Sequence, residues 1–157
     1  MDIVEPINPA YALSHAFILA ATDYFSKWAE VVPLKQVLGT TAANFVCHHI
    51  IYRFGVPDQI ISDNGPQFRS YHDRLVSQFG FEWKYSIMYH LRTNGLAEMF
   101  NKTLCGVLRK SVSKSKKNWH EMLPEALWAY RAITWNAIDS TPYSLVYESE
   151  AILPLEV

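Results

Sequence analysis

The sequence predicts a single domain of the α/β class, in which helices pack on the faces of a mixed sheet. A length of 157 residues suits one domain with one continuous core and is too short for two. Apolar residues make up 50% of the chain and aromatic residues 14%, a composition far from that of disordered proteins. Strand patterns come first along the chain and then alternate with helix patterns, which is typical of such a sheet.

Five segments have the short apolar or β-branched runs that are typical of strands. Three of them come early, at residues 2–7, 17–21 and 28–34. The fourth, at 59–62, is a short buried run that ends at an Asp-Asn-Gly-Pro turn signal, and the fifth alternates over 81–87. These runs supply the strands of the predicted sheet.

The helices between these strands are predicted from the spacing of apolar residues and from their stop signals. One helix, capped by Thr40 or Thr41, is expected to stop at Gly55. Another is expected over 71–78 and is closed by Gly80. Both stop signals are glycines, which accept the backbone conformation that ends a helix.

Two more helices are predicted in the second half of the chain. One begins near Leu96 with Asn94 as its cap, and the other covers 119–130. Trp119 and Trp128 fall inside the last helical pattern, and they are predicted to belong to the core rather than to a surface that stacks on bases.

Charge and cysteine content exclude several classes of protein. The net charge of −1 shows no basic excess, so binding to a nucleic acid would depend on local features. The two cysteines, Cys47 and Cys105, form no CxxC pair, which favours free thiols in a reducing intracellular compartment and no structural zinc. Cys47, His48 and His49 are adjacent on a helix and point to different faces, which disfavours a metal site there. The longest apolar stretch, 16–21, is too short to cross a membrane.

Two acidic segments could carry chemistry, although each also has a simple structural interpretation. Asp63 lies in ISDNGPQF at the predicted end of a strand, where Asp and Asn commonly bond their own backbone in a turn. Glu98 lies in TNGLAE, where a capped helix with an acidic first turn is favoured by the helix dipole. Neither segment alone predicts a function.

Together, SDNGPQF and YHLRTNGLAEMFNKTL resemble the integrase catalytic core shared by retroviruses and long-terminal-repeat retrotransposons, in its gypsy-type form. The 34 residues between Asp63 and Glu98 are close to the separation in that family. The resemblance extends over nearly the whole chain, through ATDYFSKWAEVVPL, IIYRFGVPDQI, WHEMLPEALWAYR and STPYSLVY. Residues 1–157 are therefore expected to be one integrase core, with its first strand truncated and without the zinc-binding and C-terminal DNA-binding modules of the family.

The resemblance implies a ribonuclease H-like fold, with a five-stranded mixed sheet flanked by helices on both faces. It also implies a catalytic and metal-binding triad, which falls on Asp2, Asp63 and Glu98. Three carboxylates can hold two Mg²⁺ or Mn²⁺ ions, because these hard cations prefer oxygen ligands and assist in-line phosphoryl displacement. Asp23 is the rival for the first position, but it falls where the family has a turn, so Asp2 is preferred.

DNA contacts are expected near the triad. Lys102 lies one helical turn beyond Glu98, and the resemblance favours a DNA contact over a simple Glu-to-Lys surface pair. Asn64, Arg92 and Arg109 are further candidates. Arg109 begins a basic stretch that can either neutralise phosphates or form a solvated face.

The chain departs from the family pattern at several positions. Glu5 replaces a usual glycine, Leu91 and Arg92 replace a Pro-Gln pair, and Cys105 stands where relatives often carry lysine. Two functions of different class follow. One is DNA integration by 3′-end processing and strand transfer, with element ends and target DNA as partners, a homo-oligomeric state and a nuclear site of action. The alternative is a catalytically decayed fragment that retains only nucleic-acid binding or self-association.

Overall fold

The computed structural model describes residues 1–4, 15–86, 102, 103, 106, 107, 119–136 and 138–152. The strands are β1 (Asp2–Val4), β2 (Phe17–Thr22), β3 (Ala29–Leu34), β4 (Gln59–Ser62) and β5 (Glu82–Tyr85). Strands β1, β2 and β3 form an antiparallel sheet in that order, and β4 pairs with β5 in parallel. Five strands are thus present in the described residues, close to the positions predicted.

The expected five-stranded sheet is, in these residues, a three-stranded and a two-stranded sheet. The residue before β1 bonds to β4: the amino nitrogen of Met1 donates to the carbonyl of Ile61 at 2.6 Å. The backbone of β1 is short, and its pairing with β2 occupies all three of its residues. In the described residues, the Met1–Ile61 bond joins the two sheets, which share no strand ladder.

The first helical region starts at a different residue from the one predicted, and it ends at the predicted glycine. It consists of α1 (Gly39–Phe45), a π-helical stretch (Val46–Ile51) and α2 (Tyr52–Phe54), which follow one another without a break. The predicted threonine caps are wrong, because α1 begins at Gly39 and its cap position is occupied by Leu38 without a side-chain hydrogen bond. Gly55 ends the region with φ of 92°, a conformation that glycine adopts without steric cost.

The other helices whose bounds are described are α3 (Pro66–Phe79), α4 (Leu123–Arg131) and α5 (Pro142–Tyr147). Helix α3 begins five residues before its predicted start, because the ring of Pro66 has a helical φ and needs no N–H donor at the first position. It ends at Gly80 as predicted, with φ of 77°. Helix α4 begins at Leu123 rather than Trp119, and α5 was not predicted. Of the described helices, none combines the length and hydropathy needed to cross a membrane.

Helices cover both faces of the antiparallel sheet, as predicted. Alternate residues of β2 point to opposite sides, so that Ile18 and Ala20 join one core and Leu19 joins the other. The first core lies under α4 and contains Ala29, Val31, Trp119, Leu123, Ala126, Leu127 and Tyr130. The second lies under α1 and α3 and contains Leu34, Ala42, Phe45, Val46, Ile51, Ile60, Phe68, Leu75, Phe81 and Trp83.

The WAYR segment at the end of α4 attaches this helix to the start of β3. The buried hydroxyl of Tyr130 donates to the carbonyl of Lys27 at 3.1 Å, and Arg131 donates to the carbonyl of Ala29 through Nε and Nη2. Trp128 is only half-buried, whereas Trp119 is 2% exposed. Tyr130 and Arg131 thus have a structural role in this segment.

A buried carboxylate joins three elements on the same side of the molecule. Oε1 of Glu30 accepts hydrogen bonds from Trp28 Nε1 at 2.8 Å, Arg53 Nη1 at 2.7 Å and Arg131 Nη2 at 2.9 Å. Nδ1 of His49 lies 3.8 Å from Oε2. Burial lowers the pKa of Arg131, and the charge of Glu30 opposes that shift. The charge of Glu30 therefore compensates cations that are costly to bury alone.

Candidate active site

Asp2 and Asp63 come from separate segments and lie close enough to interact electrostatically. Asp2 opens β1, and Asp63 follows the last residue of β4. The amino group of Met1, which donates to Ile61 of β4, lies close enough to interact electrostatically with both carboxylates. Burial lowers the pKa of this amino group, and the two carboxylates oppose the shift. The contact between β1 and β4 thus brings the two predicted acidic residues together.

The surroundings of Asp63 disfavour its charged form. Although the side chain is exposed, the protein around it displaces enough water to raise its pKa, and the nearby charge of Asp2 adds to this effect. The N–H of Gly65, 3.4 Å from Oδ1, and the amino group of Met1 act in the opposite direction. A divalent cation bound next to Asp63 would therefore stabilise the charged form of its carboxylate.

The donor set fits a hard divalent cation. Two carboxylates supply oxygen ligands of the kind that Mg²⁺ and Mn²⁺ prefer. Among the described residues there is no cluster of three His, Cys, Asp or Glu side chains that could hold a metal ion. Glu98, the predicted third ligand, lies outside the described residues. Asp2 and Asp63 can therefore provide two ligands of the predicted site.

The predicted DNA contacts are only partly within the described residues. Asn64 is exposed, and its Oδ1 accepts a hydrogen bond from Nε of Arg69 at 2.9 Å. Lys102 is exposed and helical. Arg92 and Arg109 lie outside the described residues, together with the departures at Glu5, Leu91 and Cys105.

Asp23, the rival for the first carboxylate, is a turn residue. Its Oδ2 accepts hydrogen bonds from the backbone N–H and the hydroxyl of Ser26, both at 2.7 Å. The N–H of Lys27 donates to the carbonyl of Asp23 at 3.1 Å. This carboxylate stabilises the turn between β2 and β3, as the sequence predicted.

Ser62 supports the backbone of Asp63 and was not identified from the sequence. Its hydroxyl is buried; it accepts from Trp83 Nε1 and donates to the carbonyl of Asp63, both at 2.9 Å. A hydrogen bond to that carbonyl restricts the peptide that follows Asp63, and Trp83 holds the hydroxyl in place. The alternation of β5 predicted a buried Trp83, but its partner depended on the pairing of β4 with β5.

We expect Ser62→Ala to weaken Mn²⁺ binding by roughly fivefold, because the loss of a buried hydrogen bond costs about 1 kcal/mol. Ser77→Ala is the matched control, since the Ser77 hydroxyl also donates to a backbone carbonyl, that of Asp73 at 2.6 Å on α3. Water proton relaxation during Mn²⁺ titration measures both affinities. Equal weakening in the two variants, or none in Ser62→Ala, would contradict a supporting role for Ser62.

A cavity of about 290 Å³ lies beside the buried Glu30 cluster and is not the candidate site. Its lining contains neither Asp2 nor Asp63. It is formed mainly by residues of β3 and α4 with the side chains of His49, Arg53 and His120.

Retroviral polyproteins contain a segment similar to this chain. The Pol polyprotein of feline endogenous virus ECE1 and the Gag-Pol polyprotein of baboon endogenous virus (strain M7) are each 34% identical to it over 149 residues. These matches cover 94% of this chain but only 14% and 8% of the two polyproteins, so the chain spans a small part of its relatives. No protein-family model matches the sequence.

Solved integrase structures share the fold. The catalytic core of the HTLV-2 integrase, solved with magnesium in a trimeric form, superposes with a TM-score of 0.68 at 19% identity and 82% coverage of both chains. The catalytic core of BIV integrase gives a TM-score of 0.73 at 20% identity and covers 94% of this chain and 92% of its own. A chain of the simian T-cell lymphotropic virus intasome, solved with the PP2A regulatory subunit B56 gamma, gives 0.75 at 21% identity, over 99% of this chain and 57% of its own.

Proposed function

This chain belongs to the retroviral-type integrase catalytic cores, and we propose that it joins retroelement DNA to target DNA by metal-dependent phosphoryl transfer. The observation that carries this proposal is that Asp63, which follows β4, lies near Asp2 of β1, where the amino group of Met1 donates to the carbonyl of Ile61. Two carboxylates with mutually unfavourable charges at a strand end are costly in a purely structural role. The same arrangement is useful where a cation and a phosphodiester must be held together.

The proposed reaction has two steps that use the same site. In 3′-end processing, a water oxygen attacks the phosphorus of a phosphodiester near the end of the element, and the bond to the departing 3′ oxygen breaks. In strand transfer, the new 3′-hydroxyl attacks a phosphodiester of the target, and the target's own 3′ oxygen leaves. Both steps are in-line displacements at phosphorus, so one set of carboxylates can serve them.

We assign Asp2, Asp63 and Glu98 as the catalytic and metal-binding residues. Two Mg²⁺ or Mn²⁺ ions held there would activate the attacking oxygen and stabilise the leaving one. The magnesium in the related HTLV-2 core supports this choice of metal. Burial, and after it the charge of Asp2, raises the pKa of Asp63, and a bound cation would favour the charged form of this carboxylate.

The proposed partners are element ends, target DNA and further copies of this chain. Asn64, Arg92, Lys102 and Arg109 are the proposed DNA contacts, and the exposure of Asn64 and Lys102 is compatible with that role. The trimeric form of the HTLV-2 core and the simian intasome support an oligomeric state. We further propose that residues 1–157 form one domain with a continuous five-stranded sheet, and that it acts in the nucleus.

The proposal is tested by joining a labelled duplex end to a plasmid with Mg²⁺ or Mn²⁺ present or chelated. We expect joining only with metal, and we expect its loss in Glu98→Gln, which keeps the shape of the side chain and removes a charged ligand. Glu125→Gln is the control, because Glu125 is an exposed glutamate in the first turn of α4. DNA binding without joining in the wild type would favour the decayed fragment, and full activity of Glu98→Gln would contradict the mechanism.

A further inference from the structure

Arg69 is held at the same end of β4 as the carboxylates. Its Nε donates to Oδ1 of Asn64 at 2.9 Å, and Asn64 follows Asp63 directly in the chain. Both side chains are exposed, so this bond is made at the surface. A flexible arginine that is fixed by a second side chain presents its guanidinium in one direction.

No carboxylate in the described part of the chain forms an ion pair with Arg69. The ion pairs of the described residues have Glu30, Asp73 or Glu82 as their acidic partner, and none of them includes Arg69. Asp73 lies one helical turn further along α3, yet it pairs with Nδ1 of His72 at 2.8 Å. Within the described residues, Arg69 is therefore held by a neutral amide, and no carboxylate there pairs with its terminal nitrogens.

The position of Arg69 in α3 is electrostatically unfavourable by itself. It is the fourth residue of a helix that begins at Pro66, and the first turn of a helix favours anions rather than cations. No ion pair among the described residues offsets this, and departures from a local preference are expected at functional sites.

Tyr85 shows where the guanidinium lies relative to the strands. Burial raises the pKa of Tyr85, and the positive charge of Arg69 opposes this shift, so the two side chains are near each other. Tyr85 ends β5 and pairs in register with Ser62, the last residue of β4. Arg69 therefore lies at the carboxyl ends of β4 and β5, the edge from which Asp63 extends.

We propose that Arg69, oriented by Asn64, binds a backbone phosphate of DNA next to the carboxylate site. This inference rests on the proposed function, because it requires that the chain binds DNA. The planar guanidinium donates two parallel hydrogen bonds to phosphate oxygens, and it stays charged at every physiological pH. A contact of this kind positions the strand without reading its sequence.

The test is the salt dependence of binding to a random duplex, measured by fluorescence anisotropy in EDTA so that no joining occurs. Each phosphate contact contributes about 0.9 to the slope of log K against log salt concentration. We expect Arg69→Gln to lower the slope by about one contact, equally for random and element-end duplexes. Arg74→Gln is the matched control, because Arg74 is exposed on the same helix and points about 140° away.

A double-mutant cycle tests the part played by Asn64. If Asn64 acts by orienting Arg69, Asn64→Ala weakens binding in the wild type and has no further effect in Arg69→Gln. Additive losses would instead mean that Asn64 acts only through its own proposed DNA contact, and they would contradict the orienting role. Circular dichroism of each variant checks that the fold is retained.

The outcomes separate this inference from the proposed function. An unchanged slope in Arg69→Gln, or an equal change in Arg74→Gln, overturns the phosphate contact and leaves the integrase mechanism intact. A lowered slope in Arg69→Gln, together with full joining activity of Glu98→Gln, supports the contact and overturns the mechanism. If the wild type binds no duplex, both are wrong.

Discussion

Asp63→Asn is expected to reduce metal-dependent strand transfer by about a thousandfold, while the fold is retained. Asparagine has nearly the same shape, but it lacks the charge that binds a divalent cation. Metal assistance in phosphoryl transfer amounts to several kcal/mol, and each factor of ten in rate corresponds to about 1.4 kcal/mol. Asp2 remains in Asp63→Asn, but a single carboxylate supplies fewer charged oxygen ligands than the pair, so we do not expect it to compensate for the loss.

Asp23→Asn is the control for this change, since Asp23 is the other aspartate that the family segments offered. Its carboxylate holds a turn through Ser26, so we expect some loss of stability and nearly full strand transfer at a permissive temperature. Thermal unfolding and joining are measured for both variants. Comparable activity in Asp63→Asn and Asp23→Asn would show that Asp63 is a turn residue and nothing more.

Glu30→Ala is expected to lower the free energy of unfolding by about 3 kcal/mol. The change removes the shared acceptor of Trp28, Arg53 and Arg131 and leaves cationic groups without a partner. Arg53 is partly exposed and can turn toward water, whereas the side chain of Arg131 is 15% exposed and cannot do so easily. The loss is therefore dominated by Arg131, which attaches α4 to β3.

Two further variants test whether the destabilisation in Glu30→Ala comes from the charge of Glu30 and from its buried position. Glu30→Gln keeps an acceptor for Trp28 and loses only the charge, so its destabilisation is expected to lie between those of the wild type and Glu30→Ala. Glu121→Ala removes an exposed glutamate near α4 and should change little. Urea unfolding followed by circular dichroism gives all three values. A loss below about 1 kcal/mol in Glu30→Ala would show that the buried ion pairs do not stabilise the fold.

Features that depend on neighbouring residues were determined by the sequence. Glycine is the residue that ends a helix with positive φ at low cost, so Gly55 and Gly80 marked two helix ends correctly. The apolar run 59–62 and the turn signal after it placed Asp63 at the end of β4. The short side chain of Asp23 bonds its own turn, as the local pattern indicated. In each case the deciding interaction spans a few residues.

The start of α3 marks the limit of such local prediction. The turn signal after residue 62 correctly predicted the end of β4, but it did not predict that a helix begins at Pro66. Proline is compatible with both a turn and a first helical position, so the sequence pattern did not distinguish them. The packing of Phe68, which is 1% exposed in the second core, favours the helix. The apolar spacing from Tyr71 onward could not show this, because it does not indicate which distant residues pack against Phe68.

Contacts between distant segments were decided only by the tertiary structure. The family segments named Asp2 and Asp63, but their approach depends on β1 lying beside β4, 60 residues away in the chain. The partners of Glu30 lie 23 and 101 residues away, and the exposed bond of Arg69 to Asn64 depends on how α3 leaves β4. Local patterns record backbone preferences and burial, whereas the pairing of distant strands and helices depends on the packing of the whole chain. Sequence therefore determined which residues were available for chemistry, and the fold decided which of them meet.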